Sequence, residues 1–220
     1  MQLSGNQQAT QWAKRLLISL AVFYALLALF LALPASVTDL GVVQWAQQHK
    51  SNVLHWVSVA LGELGKPYFV AIKALLPAVL LIFYNYRREG LFLMATLLAD
   101  IANLILKNIF NRPRPTADVA QVLIEARNAG FPSGHTVNFI VYFGFLLVLL
   151  PMAKNINSFW RSVIAGLLLF LIFIGPFSRI YAGMHWPSDI VGGGFFGTIF
   201  LAMMCYAWFT NAQKHQSPDS

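Results

Sequence analysis

An all-α integral membrane bundle of six transmembrane helices is the fold class this sequence predicts, and three observations predict it. Charged residues make up only 10% of the 220 residues against 58% hydrophobic, and mean hydropathy is +0.63. Soluble domains carry roughly a quarter charged residues, so this chain cannot coat a water-soluble globule. The apolar residues also fall in runs close to the ~20 residues a helix needs to cross a bilayer. The polar residues, finally, cluster between those runs. One bundle accounts for the whole length, so residues 1–220 read as a single membrane-embedded domain.

The first predicted span is 14–33, introduced by Lys14-Arg15 and closed by Pro34. Its length favours a retained span over a cleaved signal peptide, the alternative reading of a basic start before an apolar run. Residues 35–51 are mixed, with Asp39, Gln47, Gln48, His49 and Lys50, and predict an interfacial segment with a short helix. The second span starts near Asn52, breaks at Gly62-Glu63-Leu64-Gly65-Lys66-Pro67 and runs to about Tyr84. That break is read as an interfacial interruption, with a substrate-entry lip as the alternative. Arg87-Arg88-Glu89-Gly90 makes a tight loop before the third span, 91–110. A polar stretch, 111–131, separates it from the fourth, 134–151; the fifth is 159–178 and the sixth 187–209.

The net charge of +7 does not point to nucleic acid, because the charges form neither a tail nor one solvated face. The single Cys205 lies in an apolar run, which excludes a disulfide framework and a cysteine metal site. Six spans place both termini on one side. With the termini inside, Lys14, Arg15, Arg87, Arg88, Lys154, Arg161 and Lys214 face the cytoplasm. Lys50, Lys66, Lys107, Arg112, Arg114, Arg127 and Arg179 face outward. This tie breaks in favour of N-in/C-in if Lys107, Arg114 and Arg179 serve a ligand instead of topology.

Three sequence pieces then fall on the outer face. Lys107-x6-Arg114-Pro115 ends the third span, Pro132-Ser133-Gly134-His135 opens the fourth, and Ser178-Arg179-x5-His185-x3-Asp189 joins the fifth to the sixth. Lys107, Arg114 and Arg179 supply fixed positive charges, the arginines as planar forks that match phosphate oxygens. Ser133 and the Gly134 amide add donors at a helix N-terminus, where the dipole favours an anion. Such a cradle neutralises a phosphoryl group in flight. Asp189 accepts from one imidazole nitrogen of His185 and leaves the other free to attack. His135 donates a proton to the leaving oxygen. No metal or other cofactor is called for, since the cationic side chains do a metal's work. Each piece alone has an ordinary reading as a helix start, a basic juxtamembrane loop or an interfacial anchor. Their joint occurrence, in order and at these spacings, points to chemistry.

These motifs closely resemble those of the type 2 phosphatidic acid phosphatase superfamily, the membrane lipid phosphatases related to vanadium haloperoxidases. The resemblance covers 107–189 in its motifs, and most of the chain in its span layout. It implies a haloperoxidase-like active-site core and a covalent phosphohistidine mechanism without metal. His185 is then the nucleophile, Asp189 its partner and His135 the acid, while Lys107, Arg114, Ser133, Gly134 and Arg179 bind phosphate. It also implies a phospholipid or polyprenyl diphosphate substrate (phosphatidylglycerol phosphate, phosphatidate or undecaprenyl diphosphate) handled at the periplasmic face of the inner membrane. A lipid-to-lipid phosphotransferase shares the same chemistry, and a transporter or scaffold retaining the motif is the reading from another class. Nothing in the sequence calls for an obligate protein partner.

Polar residues inside spans are costly in lipid and face the bundle interior. Asp100, Asn103 and Lys107 share one face of the third span. Lys73, in the second, is expected to pair with Asp100, with snorkelling or a substrate headgroup contact as alternatives. Gly193 and Gly197, four apart in the sixth span, predict close packing on another helix, with a dimer face as the alternative.

Overall fold

The computed structural model describes residues 18–19, 21–22, 24–26, 37–49, 51–123 and 128–214, with side chains as far as Thr210. The first expected span, 14–33, lies largely outside the described residues. So do Lys14, Arg15, Lys50, Arg127 and the side chain of Lys214. Among the described residues every regular element is helical. These elements are α1 (Val37–Gln48), α2 (Asn52–Leu64), α3 (Pro67–Phe83), α4 (Arg87–Ala95), α5 (Leu97–Phe110), α6 (Gly134–Leu149), α7 (Ser158–Tyr181) and α8 (Pro187–Lys214). Four stretches are long and apolar enough to cross a membrane: Arg87–Phe110, Gly134–Met152, Ser158–Tyr181 and Pro187–Thr210. Helices α2 and α3 make a fifth if the bent pair counts as one. The expected six are therefore four or five among the described residues.

Local chemistry sets the boundaries. Asn157 caps α7 by accepting the Trp160 N–H at 3.0 Å, and Ser133 accepts the Thr136 N–H at 3.5 Å at the start of α6. Pro67 opens α3, where its missing N–H would be unpaired anyway. Asn111 ends α5 in the left-handed region (φ 42°), its N–H on the Lys107 carbonyl at 2.9 Å. The expected break in the second span is real: α2 and α3 meet at a 64° bend. A second interruption lies at Pro77 within α3. A proline there cannot donate to the Lys73 carbonyl, and a bare carbonyl in hydrocarbon costs several kcal/mol. The Tyr142 hydroxyl of α6 donates to that carbonyl instead, at 2.6 Å.

Helix α6 is the enclosed centre, with Val137, Phe139, Val141 and Phe145 fully buried. Leu98, Ile101, Leu104 and Ile105 of α5 are exposed, and so are Leu167, Phe170 and Phe173 of α7, which leaves an apolar outer surface suited to lipid. Gly193 and Gly197 pack α8 onto α6. A Cβ at Gly193 would meet the Ser133 carbonyl at 2.8 Å, and one at Gly197 would meet Ile140 Cβ at 3.2 Å. This contact brings the α6 and α8 N-termini together, and the Ser133 N–H donates to the Asp189 carbonyl at 3.0 Å. At the opposite end, Arg88 donates to the Trp208 carbonyl and lies 4.2 Å from its ring centre, while Arg161 donates to the Ala153 and Ile156 carbonyls at 3.2 and 3.1 Å.

The expected Lys73–Asp100 ion pair does not form directly. Lys73 Nζ donates to the Leu64 carbonyl at 3.0 Å and to Asn138 Oδ1, and Asn138 Nδ2 donates to Asp100 Oδ2 at 2.9 Å. The reason is that α6 brings Asn138 between them. An amide has both an acceptor and a donor, so it joins the cation to the carboxylate without direct contact. The Lys73 ammonium also lies 5.1 Å from the ring centres of Phe139, Tyr142 and Phe143.

Candidate active site

The C-terminal ends of α5 and α7 and the N-terminal ends of α6 and α8 converge at one end of the bundle. The tightest constraint is at the start of α8. Trp186, just before the helix, has no side-chain acceptor for the free N–H groups of the first turn. Asp189, in that turn, reaches back and its Oδ2 accepts the Trp186 N–H at 3.0 Å, half of a capping box. The same oxygen lies 3.2 Å from His185 Nδ1. Asp189 is thus held by its own helix start in the position that orients His185. Gly130 lets the loop from α5 lie against this carboxylate, since a Cβ there would meet Asp189 Oδ2 at 2.9 Å.

The other imidazole nitrogen, Nε2, lies 3.1 Å from Arg114 Nη1. A guanidinium only donates, so Nε2 is the acceptor. The bonding pattern therefore assigns the proton to Nδ1, where Asp189 accepts it. His185 is 1% exposed. Its pKa is pulled well below the ordinary 6.5, first by burial and then by Arg114, Lys107 and Arg179. A neutral imidazole with its Nε2 lone pair turned toward Arg114 is what this geometry holds. Burial also lowers the Arg114 pKa, opposed by the charge of Asp189.

Arg114 is fixed by further bonds: Nη1 to the Met184 carbonyl at 2.7 Å, Nε to the Asn128 carbonyl at 2.9 Å and Nη2 to Asn128 Oδ1 at 2.7 Å. Lys107 Nζ donates to the Ala129 and Gly130 carbonyls at 2.7 and 3.1 Å. A Cβ at Gly134 would lie 3.8 Å from Lys107 Cε. Arg179, fully buried, donates through Nε to Ser178 Oγ at 3.1 Å and through Nη2 to the Ser58 carbonyl. His135 Nε2 lies 3.0 Å from the Gly62 carbonyl. Gly65 is where it must be, because a Cβ there would collide with the His135 ring. The interrupted second span therefore lies over the site, with the Ser58 carbonyl of α2 on Arg179 and the Gly62 carbonyl on His135.

All eight residues singled out by the motifs (Lys107, Arg114, Ser133, Gly134, His135, Arg179, His185 and Asp189) lie in this one region. Arg114, His185 and Asp189 form a bonded chain, and Ser133 joins it through the Asp189 backbone. His135 and Arg179 are held instead by α2. Two residues escaped the motif reading. Arg112, counted only as an outward-facing charge, donates from Nη1 to Asp189 Oδ1 at 2.8 Å and to Ser188 Oγ at 2.6 Å, and from Nη2 to Asp39 Oδ2 at 3.0 Å. Asp39, assigned to an interfacial helix, is itself buried. The usable signal for Asp39 was scarcity: the chain has only eight acidic residues, and one in an apolar setting asks for a partner.

A family model for the PAP2 superfamily matches residues 89–214, more than half of the chain. The chain belongs to this superfamily. Phosphatidylglycerophosphatase B of Bacillus subtilis is 29% identical over 193 residues, covering 85% of this chain and 92% of that protein. Undecaprenyl-diphosphatase BcrC of the same organism is 31% identical over 150 residues, covering 66% and 69%. Among solved structures, a transmembrane PAP2-type phosphatidylglycerolphosphate phosphatase from Bacillus subtilis superposes with a TM-score of 0.75 at 20% identity, over 93% of this chain and 98% of that one. The PAP2 fold accounts for the all-helical, multi-pass architecture, and the chain is a hydrolase, in keeping with relatives named as phosphatases.

Proposed function

We propose that this protein, as one membrane-embedded domain, removes phosphate from a lipid phosphomonoester or diphosphate through a phosphohistidine. The observation that carries this is the setting of His185, with Nδ1 on Asp189 and the unprotonated Nε2 turned to Arg114. Nε2 attacks phosphorus, the bond from phosphorus to the leaving oxygen breaks, and His135 gives that oxygen a proton. Lys107, Arg114 and Arg179, with Ser133 and the Gly134 amide, stabilise the charge on the equatorial oxygens. Water then attacks phosphorus and passes its proton to His135. The phosphorus–nitrogen bond breaks, and phosphate leaves with both histidines restored.

The candidate substrates are phosphatidylglycerol phosphate and undecaprenyl diphosphate, after the names of the relatives, together with phosphatidate. We place the protein in the inner membrane with both termini inside and the site on the periplasmic face. Arg87, Arg88, Lys154 and Arg161, at the end of the bundle away from the site, support that orientation. The test is phosphate release by purified protein from these three lipids and diacylglycerol pyrophosphate. His185→Ala should abolish release from every one of them, and persisting turnover would refute the mechanism.

A further inference from the structure

We propose that Asp39 is a positioning residue for the His185–Asp189 pair, acting through Arg112 and through the first turn of α8. This rests on the reading of His185 as nucleophile. Asp39 comes from α1, 149 residues before Ser188 in sequence, yet three polar groups of the site region meet its carboxylate. Oδ1 accepts the Ser188 N–H at 2.9 Å; Oδ2 accepts Ser188 Oγ at 2.7 Å and Arg112 Nη2 at 3.0 Å. The Ser188 N–H is one of the free donors at the start of α8. Asp39 therefore supplies, from another helix, the cap that Trp186 cannot.

Arg112 carries the effect to the reacting histidine. Its guanidinium spans two carboxylates, Asp39 Oδ2 through Nη2 and Asp189 Oδ1 through Nη1. The side chains of Asp39, Arg112 and Asp189 are 6%, 2% and 0% exposed, so solvent does little to screen their charges. Asp189 divides its oxygens accordingly: Oδ1 faces Arg112, while Oδ2 serves His185 and the Trp186 N–H. Two carboxylates around one guanidinium leave the trio with one net negative charge. That charge faces His185, where positive charge develops as Nε2 bonds to phosphorus. With Asp39 neutral, the trio would carry no net charge and Arg112 would be balanced by Asp189 alone.

Helix α1 is built to hold this position. Val43 and Ala46 pack with Ala120, Ile180 and Trp186. Gln47 Nε2 donates to the Gln121 carbonyl at 2.8 Å, and Gln47 Oε1 accepts the Gln121 N–H at 2.8 Å. The segment that composition marks as interfacial is thus pinned to the site end of the bundle along its length.

Asp39→Asn is the discriminating variant, because its amide oxygen keeps an acceptor for the Ser188 N–H while the charge, and with it the acceptor that Arg112 uses, is lost. Phosphate release would be measured for full-length parent, D39N and H185A on whichever lipid of the panel turns over fastest. The expected result for D39N is a fall in kcat of about 10–100-fold with KM within about twofold, since the loss is confined to the transition state. A parent-like kcat, or a loss carried mainly by KM, overturns the proposal while H185A remains inactive. Turnover by H185A overturns the nucleophile reading instead. Should D39N fail to accumulate as folded protein, Arg112→Lys gives the same readout. A lysine keeps the charge but cannot span both carboxylates, so the same kcat loss is expected, and parent-like kcat overturns the proposal.

Discussion

Arg114 Nη1 lies 3.1 Å from His185 Nε2, which makes the arginine the partner that settles where the imidazole proton sits. A single ammonium could not hold the Met184 carbonyl, Asn128 and His185 at once. Arg114→Lys should therefore lower phosphate release on the order of 100-fold, and Arg114→Ala should lower it further. Steady-state kinetics on folded, detergent-solubilised protein checks the ranking.

The depressed pKa of His185 has a definite sign for activity and for stability. An ordinary histidine would be half protonated at 6.5 and lose its attacking lone pair below that value. His185 stays neutral well below it, so the acidic limb of kcat/KM against pH that reports this group should lie well under 6.5. In the unfolded chain the same residue takes a proton near 6.5, whereas the folded state refuses it. Its contribution to stability is therefore fully present above 6.5 and is lost as pH falls from 6.5 toward the folded pKa, at about 1.4 kcal/mol per pH unit. Thermal melts of parent and His185→Ala across that range isolate the term, because the variant lacks it.

Lys73→Met should destabilise the protein by about 1–3 kcal/mol by stripping Asn138 and the Leu64 carbonyl of a donor inside the bundle. A direct contact between Lys73 and substrate predicts the opposite pattern, a normal melt with raised KM. Melting temperature and KM measured on the same preparation separate the two.

Gly193→Ala should destabilise by about 1–3 kcal/mol, because its Cβ would sit 2.8 Å from the Ser133 carbonyl, a backbone atom with little room to retreat. Activity should fall with it, since the Ser133–Asp189 backbone bond crosses the same contact. Gly194→Ala is the control. The nearest atom to its Cβ would be 4.0 Å away, in ordinary contact, and it should behave like the parent.

Much of this fold was legible in the sequence because each span carries its own apolar run, and because Ser133 announces a helix start locally. The motif residues were legible for a similar reason: Pro-Ser-Gly-His and His-x3-Asp are short enough for one turn to fix their relation. Partners chosen by tertiary packing were not legible. Asn138 looks like one polar residue in an apolar run until α6 is placed between α3 and α5. Asp39 and Ser188 lie too far apart in sequence for any periodicity to connect them. Arg112 was misjudged because a basic residue beside a membrane has a sufficient explanation in topology, which hid its burial between two carboxylates.

The bond from Tyr142 to the Lys73 carbonyl ties two positions into one heritable unit. The hydroxyl is needed there because Pro77 withholds a donor, and the proline is tolerable because the hydroxyl is there. Across relatives the two positions should therefore change together. A lineage that replaces the proline frees position 142 to become phenylalanine, whereas phenylalanine arising first would strand a carbonyl in hydrocarbon.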